Sequence, residues 1–149
     1  MSGFVRGLGR TLVVIVLVLV LAVVGVLLWA SMVMRGERDA AIDAWTNPAV
    51  SISSTDHSIV MTPTAHASGE GLVFIPGAKV DPYAYMFKLT GIVEASGLTV
   101  VITKPTFNLA FFDQRPLTTF TADAPGIDTW FVGGHSLGGV RACQLADDP

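Results

Sequence analysis

Residues 134–138 read Gly-His-Ser-Leu-Gly, and this spacing of two glycines around a serine restricts the backbone more than any other stretch of the chain. The apolar run Trp130-Phe131-Val132 leads into it, and Gly139-Val140 follows. The stretch reads as a strand, a sharp turn and the start of a helix. In the G-x-S-x-G pattern the serine stands in a sparsely allowed conformation with its hydroxyl exposed, the arrangement called a nucleophile elbow. The residues two before and two after it then approach so closely that a Cβ would clash, so Gly134 and Gly138 are glycine. The pattern has meaning only on a strand–turn–helix, so the rest of the chain is read for a sheet that could carry it.

Length allows one domain of modest size. The formal net charge is −3 and the arginines are scattered, so nucleic-acid binding has no electrostatic support. A single cysteine, Cys143, excludes an intrachain disulfide framework and reads as a small hydrophobe packed under the last helix. No Cys/His cluster has zinc-ligand spacing, and neither glycine-rich nucleotide motif can be placed on the residues. No metal and no cofactor are expected.

Much of the apolar content lies in one block. Thr11 to Met34 carries no charge, and Leu12 to Leu28 is almost entirely Val, Leu and Ile. As a helix, residues 11–34 would span about 36 Å, enough to cross the hydrocarbon core of a bilayer. Trp29 stands near the outer end, where an interfacial aromatic is expected. Arg6, Arg10 and the α-amino group flank one side without an acid; Arg35 and Arg38 flank the other among Glu37 and Asp39. This asymmetry puts the N-terminus inside and the rest outside the cytoplasm. A cleaved signal peptide is the alternative, since Ala30-Ser31 offers small residues, but the apolar run exceeds the usual length of such a signal. The expected layout is a cytoplasmic flank at 1–10, a single transmembrane helix at 11–34, a juxtamembrane stalk with a short helix at 35–48, and a domain at 49–149.

Within that domain Val50–Ser53 alternates apolar and polar residues, and Ile59–Thr62 is a second strand candidate across turn residues Thr55–Ser58. A hairpin is the simplest connection. Gly71–Ile75 and Leu98–Ile102 are continuous apolar runs, as strands buried on both faces are. Between them Asp81-Pro82 starts a helix, Met86, Leu89 and Val93 recur on one face, and Gly97 offers a left-handed cap. This strand–helix–strand predicts two parallel strands. Helices are expected near 109–112 and 117–123, with Phe107, Phe111 and Phe112 in core or interface packing. Thr129–Gly133 is a third parallel strand and residues 139–146 a helix. His57 and His66 read as solvated loop residues.

Together Phe74-Ile75-Pro76-Gly77-Ala78-Lys79-Val80-Asp81-Pro82 and Val132-Gly133-Gly134-His135-Ser136-Leu137-Gly138-Gly139, at this separation, resemble the N-terminal half of an α/β-hydrolase. The chain resembles in particular small bacterial α/β-hydrolases with an N-terminal hydrophobic segment, over about residues 50–146. The resemblance implies a mostly parallel sheet with flanking helices, preceded here by one transmembrane helix. It implies a membrane-anchored serine hydrolase of an ester or related acyl substrate, with an acyltransferase, a thioesterase or a non-catalytic binding protein as alternatives. By position, Ser136 is the nucleophile and the Leu137 N–H one oxyanion-hole donor. The second donor is the Ala78 N–H, in a loop where many relatives have His-Gly and this chain has Pro76-Gly77. His135 occupies a variable position of the elbow and is expected to give packing or polar support. In the family the acid and the histidine follow the nucleophile in sequence. After Ser136 the sequence holds Asp147 and Asp148 but no histidine. The expectation is an N-terminal part of a longer hydrolase, inactive by itself.

Overall fold

The computed structural model describes residues 2–147, with side chains from residue 7 onward. The α-amino group and the Arg6 side chain, used above for orientation, and Asp148 lie outside the described residues. The chain divides into two compact units, Met1–Met32 and Val33–Pro149.

The first unit is one helix, α1 (Ser2–Ser31). Its stretch Gly7–Ser31 has a mean hydropathy of 3.4 and is long and apolar enough to cross a membrane; an N-terminal signal sequence passes the same test. The β-branched residues do not break it, since each backbone group is satisfied within the helix. Residues 2–10 of the flank are continuous with the apolar helix, and the helix stops before Met34. Met34 instead belongs to the second unit, where it forms an isolated parallel bridge with Val80.

The second unit is built on a five-stranded sheet in the order β1-β2-β4-β3-β5. The strands are β1 (Val50–Ser54), β2 (Ser58–Pro63), β3 (Glu70–Ile75), β4 (Thr99–Thr103) and β5 (Thr129–Gly134). The β1–β2 hairpin is antiparallel, β2 meets β4 antiparallel, and β3 pairs in parallel with both β4 and β5. It follows that every strand but β2 runs in one direction, in a mixed sheet flanked by helices. β4 is buried at every position, as its apolar run requires.

Strand alternation sorts the core onto two faces. On one face Ile59, Met61, Val100 and Ile102 pack with Met86, Leu89 and Val93 of α3 (Met86–Ser96). Ala44 of α2 (Arg38–Thr46) is 1% exposed and enters the same cluster, so the segment read as a stalk contributes to the packed core. On the other face Val60, Val73 and Val101 pack on Phe120 of α4 (Leu117–Thr121), and Ile75 packs with Ala142 and Leu145 of α5 (Leu137–Asp147).

The connection from β3 to α3 follows the sequence closely. The Asp81 carboxylate accepts the Tyr83 N–H at 3.0 Å, Pro82 opens a single 3-10 turn to Tyr85, and Gly97 closes α3 at φ 71°. A Cβ on Gly97 would strike the His66 carbonyl, so both φ and space require glycine there.

Two expectations of core packing fail. Phe107, Phe111 and Phe112 are 54%, 69% and 57% exposed and do not enter the core. Their segment is cut into two one-turn 3-10 helices, Thr106–Asn108 and Ala110–Phe112, with left-handed backbone at Phe107 and Asn108. No continuous apolar face forms, and Ala110 is the residue buried there. Cys143 is exposed. α5 turns Ala142 and Leu145 to the sheet, and a helix carries the residue next to Ala142 away from that face.

Candidate active site

The elbow is assembled where β5 passes into α5. Ser136 has φ 53°, one of the few non-glycine residues with positive φ. The left-handed conformation turns the chain sharply enough for a helix to begin at the next residue, and it leaves Ser136 exposed. The His135 N–H still donates to the Ile75 carbonyl at 3.1 Å, extending the β3–β5 ladder into the turn. This draws the two flanking glycines against backbone. A Cβ on Gly134 would lie 2.5 Å from the carbonyl carbon and oxygen of Gly138 and 2.7 Å from the Ile75 oxygen. A Cβ on Gly138 would collide with the carbonyl oxygens of Ile75 and Pro76. Both glycines are forced by steric contact, as the spacing predicts.

The loop after β3 lies beside the elbow. The Lys79 N–H donates to the Asn108 carbonyl at 2.7 Å, and Lys79 has φ 61°. Gly77 is buried, and its N–H donates to the Tyr85 hydroxyl at 3.0 Å. Gly77 is thus removed as a donor to any ligand. Among the described residues, no loop or cap hydrogen bond engages the N–H of Ala78 or of Leu137. Leu137 opens α5, and the first amides of a helix have no intrahelical acceptor.

β3 and β5 are parallel neighbours, yet α3 leaves β3 over one face and α5 leaves β5 over the other. The carboxyl ends of such a pair open a crevice, the usual ligand position in an open α/β sheet. Ser136, Leu137 and Ala78 all stand at that end. The alpha/beta hydrolase family matches residues 71–149.

This chain belongs to the alpha/beta hydrolase family. No curated protein matches the hydrolase chain. Among solved structures, a hormone-sensitive lipase from a metagenome library shares 13% sequence identity with it at a TM-score of 0.49. The alignment covers 74% of this hydrolase chain and 44% of the lipase, so the chain spans less than half of that protein's length.

Two of the three histidines, His135 and His57, meet other side chains. His135 is exposed, and its Nδ1 lies 3.0 Å from the Tyr85 hydroxyl, which is the polar support expected of it. His66 sits in a loop at φ 57°. His57 is exposed, but its Nδ1 lies 3.1 Å from Arg115 Nη1, a partner that its neighbours in sequence do not suggest. Arg115 grips Asp113 through Nε at 2.7 Å and Nη2 at 2.5 Å and donates to the Lys104 carbonyl at 2.8 Å. The hydrogen bonds to Asp113 hold the Arg115 guanidinium above its ordinary range against the opposing effect of burial. Nearby, Asp123 accepts from Ser58 at 2.5 Å and Thr55 at 3.1 Å. These groups gather at the carboxyl end of β4, two strands from the elbow. Neither this cluster nor Tyr85 was legible in the sequence, because the cluster joins the β1–β2 turn to segments about 50 to 70 residues further on, and Tyr85 meets an elbow 50 residues away. Among the described residues no group of His, Cys, Asp and Glu is arranged to hold a metal ion.

Proposed function

We propose that this chain carries the nucleophile half of a membrane-anchored serine hydrolase that acts on an ester or related acyl substrate outside the cytoplasm. The observation that carries the proposal is the positive φ of Ser136 between two glycines pressed against backbone carbonyls. In this reading Ser136 attacks the carbonyl carbon, and an acyl-enzyme forms that water then cleaves. The N–H groups of Leu137 and Ala78 receive the charge that develops on the carbonyl oxygen. Losing one such donor typically costs about 2.7–4 kcal/mol of barrier. An acyltransferase or thioesterase would use the same groups and differ only in acceptor or leaving group.

In this reading the group that takes the serine proton is not among residues 1–149. The sequence has 3 histidines, all at or before position 135. His135 is joined to Tyr85 and His57 to Arg115. A serine hydroxyl without a base is a weak nucleophile at neutral pH. Residues 1–149 by themselves are therefore expected not to turn over ester substrates; Ser136-dependent hydrolysis by this chain would contradict that.

The nucleophile is tested with a fluorophosphonate probe on the protein as its native host makes it. Labelling that disappears in Ser136→Ala supports the enzyme. Absence of labelling in the wild type supports a binding protein that keeps the fold. The anchor rests on Gly7–Ser31, and it is tested by membrane fractionation with N-terminal sequencing. A mature N-terminus near Ser31 would show a cleaved signal instead.

A further inference from the structure

Tyr85 stands at the junction of the 3-10 turn and α3, 50 residues from the elbow in sequence, yet its hydroxyl reaches both halves of the candidate site. It accepts the Gly77 N–H at 3.0 Å and meets His135 Nδ1 at 3.0 Å. Its ring is fixed by Phe74 of β3, with centroids 4.9 Å apart. Gly77 is wedged into the same corner: a Cβ there would lie 2.7 Å from His135 Nδ1 and 3.2 Å from the Tyr85 oxygen. The three groups sit on three separate pieces of chain, namely the loop after β3, the start of α3 and the turn after β5. They flank the two amides assigned above. Gly77 immediately precedes Ala78, and His135 lies two residues before Leu137.

We infer that Tyr85 is a positioning residue, whose hydroxyl fixes the Gly77-Ala78 loop against the Ser136 elbow and so sets the spacing between the Ala78 and Leu137 N–H groups. The inference rests on the reading of Ser136 as nucleophile with those two donors. A phenol has one proton and acceptor capacity to spare. Tyr85 uses a lone pair for the Gly77 N–H, which leaves its O–H to donate to His135 Nδ1. That arrangement satisfies all three groups and places the proton of neutral His135 on Nε2. It also gives His135 a task distinct from proton transfer to the serine beside it. An oxyanion hole works only when its donors are held in place before charge develops, and small displacements of such groups are costly to rate. One hydroxyl tying both sides together supplies that rigidity.

The test is Tyr85→Phe, which keeps the ring against Phe74 and removes the hydroxyl. In the full chain, hydrogen exchange at the Gly77 amide should accelerate about fivefold to tenfold, the size expected for one lost hydrogen bond. The 15N spectrum of the His135 ring should show a smaller excess of the Nε2–H tautomer, which a histidine side chain favours even without a partner. In the protein as its native host makes it, the maximal rate of fluorophosphonate labelling should fall at least about tenfold with the half-saturating probe concentration unchanged, as loss of transition-state stabilisation alone requires. His135→Asn, which can place an amide oxygen near the Nδ1 position, should keep most of the labelling rate that His135→Ala loses. Unchanged Gly77 exchange and an unchanged His135 tautomer in Tyr85→Phe overturn the contact. A changed tautomer with an unaltered labelling rate overturns the positioning role. Labelling that persists in Ser136→Ala overturns the nucleophile reading and the positioning role with it, while the exchange and tautomer measurements still judge the contact by itself.

Discussion

Ser136 holds a backbone conformation that costs a non-glycine residue of order 1–3 kcal/mol, and surrounding contacts must supply that energy. They do so through Gly134 and Gly138, whose missing side chains let β5, α5 and the loop after β3 touch at backbone distance. The neighbouring Gly139 is different: a Cβ there would be 3.4 Å from the Gly134 oxygen, an ordinary contact. Gly138→Ala is accordingly expected to destabilise the domain by about 3 kcal/mol or more, through overpacking against backbone that cannot move aside. Gly139→Ala should change stability by less than about 1 kcal/mol. Thermal unfolding of the two variants compares them directly. Equal stabilities would mean that the close approach is not what forces glycine at position 138.

At the scale of elements, α3 is the crossover that makes β3 and β4 parallel. It is held by Met86, Leu89 and Val93, each 3% exposed or less. Its boundaries come from local chemistry: an aspartate cap, a proline and a glycine in left-handed backbone. Gly91 has no such reason. It lies on the exposed side in the middle of α3, and nothing stands within 4 Å of an added Cβ. Gly91→Ala should therefore stabilise the domain by about 0.5–1 kcal/mol, largely by reducing the freedom of the unfolded chain. A lower melting temperature in this variant would show that the helix is constrained there by something other than its own backbone. The segment from Pro105 to Pro116 behaves in the opposite way. Its apolar residues suggest packing, but its backbone is broken into short turns, so the phenylalanines remain in the open.

At the scale of the whole molecule, the first unit is chemically unlike the second. Along α1 the large side chains from Leu12 to Leu28 are 44% to 69% exposed, an apolar surface that water does not favour. A bilayer would cover it. Val20→Arg places a charge near the middle of the run, where insertion scales assign a cost of about 2.5–3.5 kcal/mol. If α1 spans a membrane, this variant should shift the protein measurably out of the alkali-resistant membrane fraction. An unchanged fraction would show that α1 does not cross with Val20 near the centre.

The sequence alone determined the features that depend on near neighbours along the chain. The apolar run of α1, the hairpin, the buried strands, the caps of α3 and the glycine spacing around Ser136 are all local patterns, set by backbone sterics and by the period of a strand or helix. Family membership was legible for the same reason, since its two signature runs are contiguous. The tertiary structure decided what depends on contacts between distant segments. It put Ala44 in the core and Cys143 outside it, joined His57 to Arg115, and directed the Gly77 N–H to Tyr85. Those outcomes turn on which loops meet at the carboxyl edge of the sheet, and nothing in the order of residues along the chain encodes a hydrogen bond between positions 77, 85 and 135. The serine could be found by its spacing; the groups that hold its surroundings in place had to be brought together by the fold.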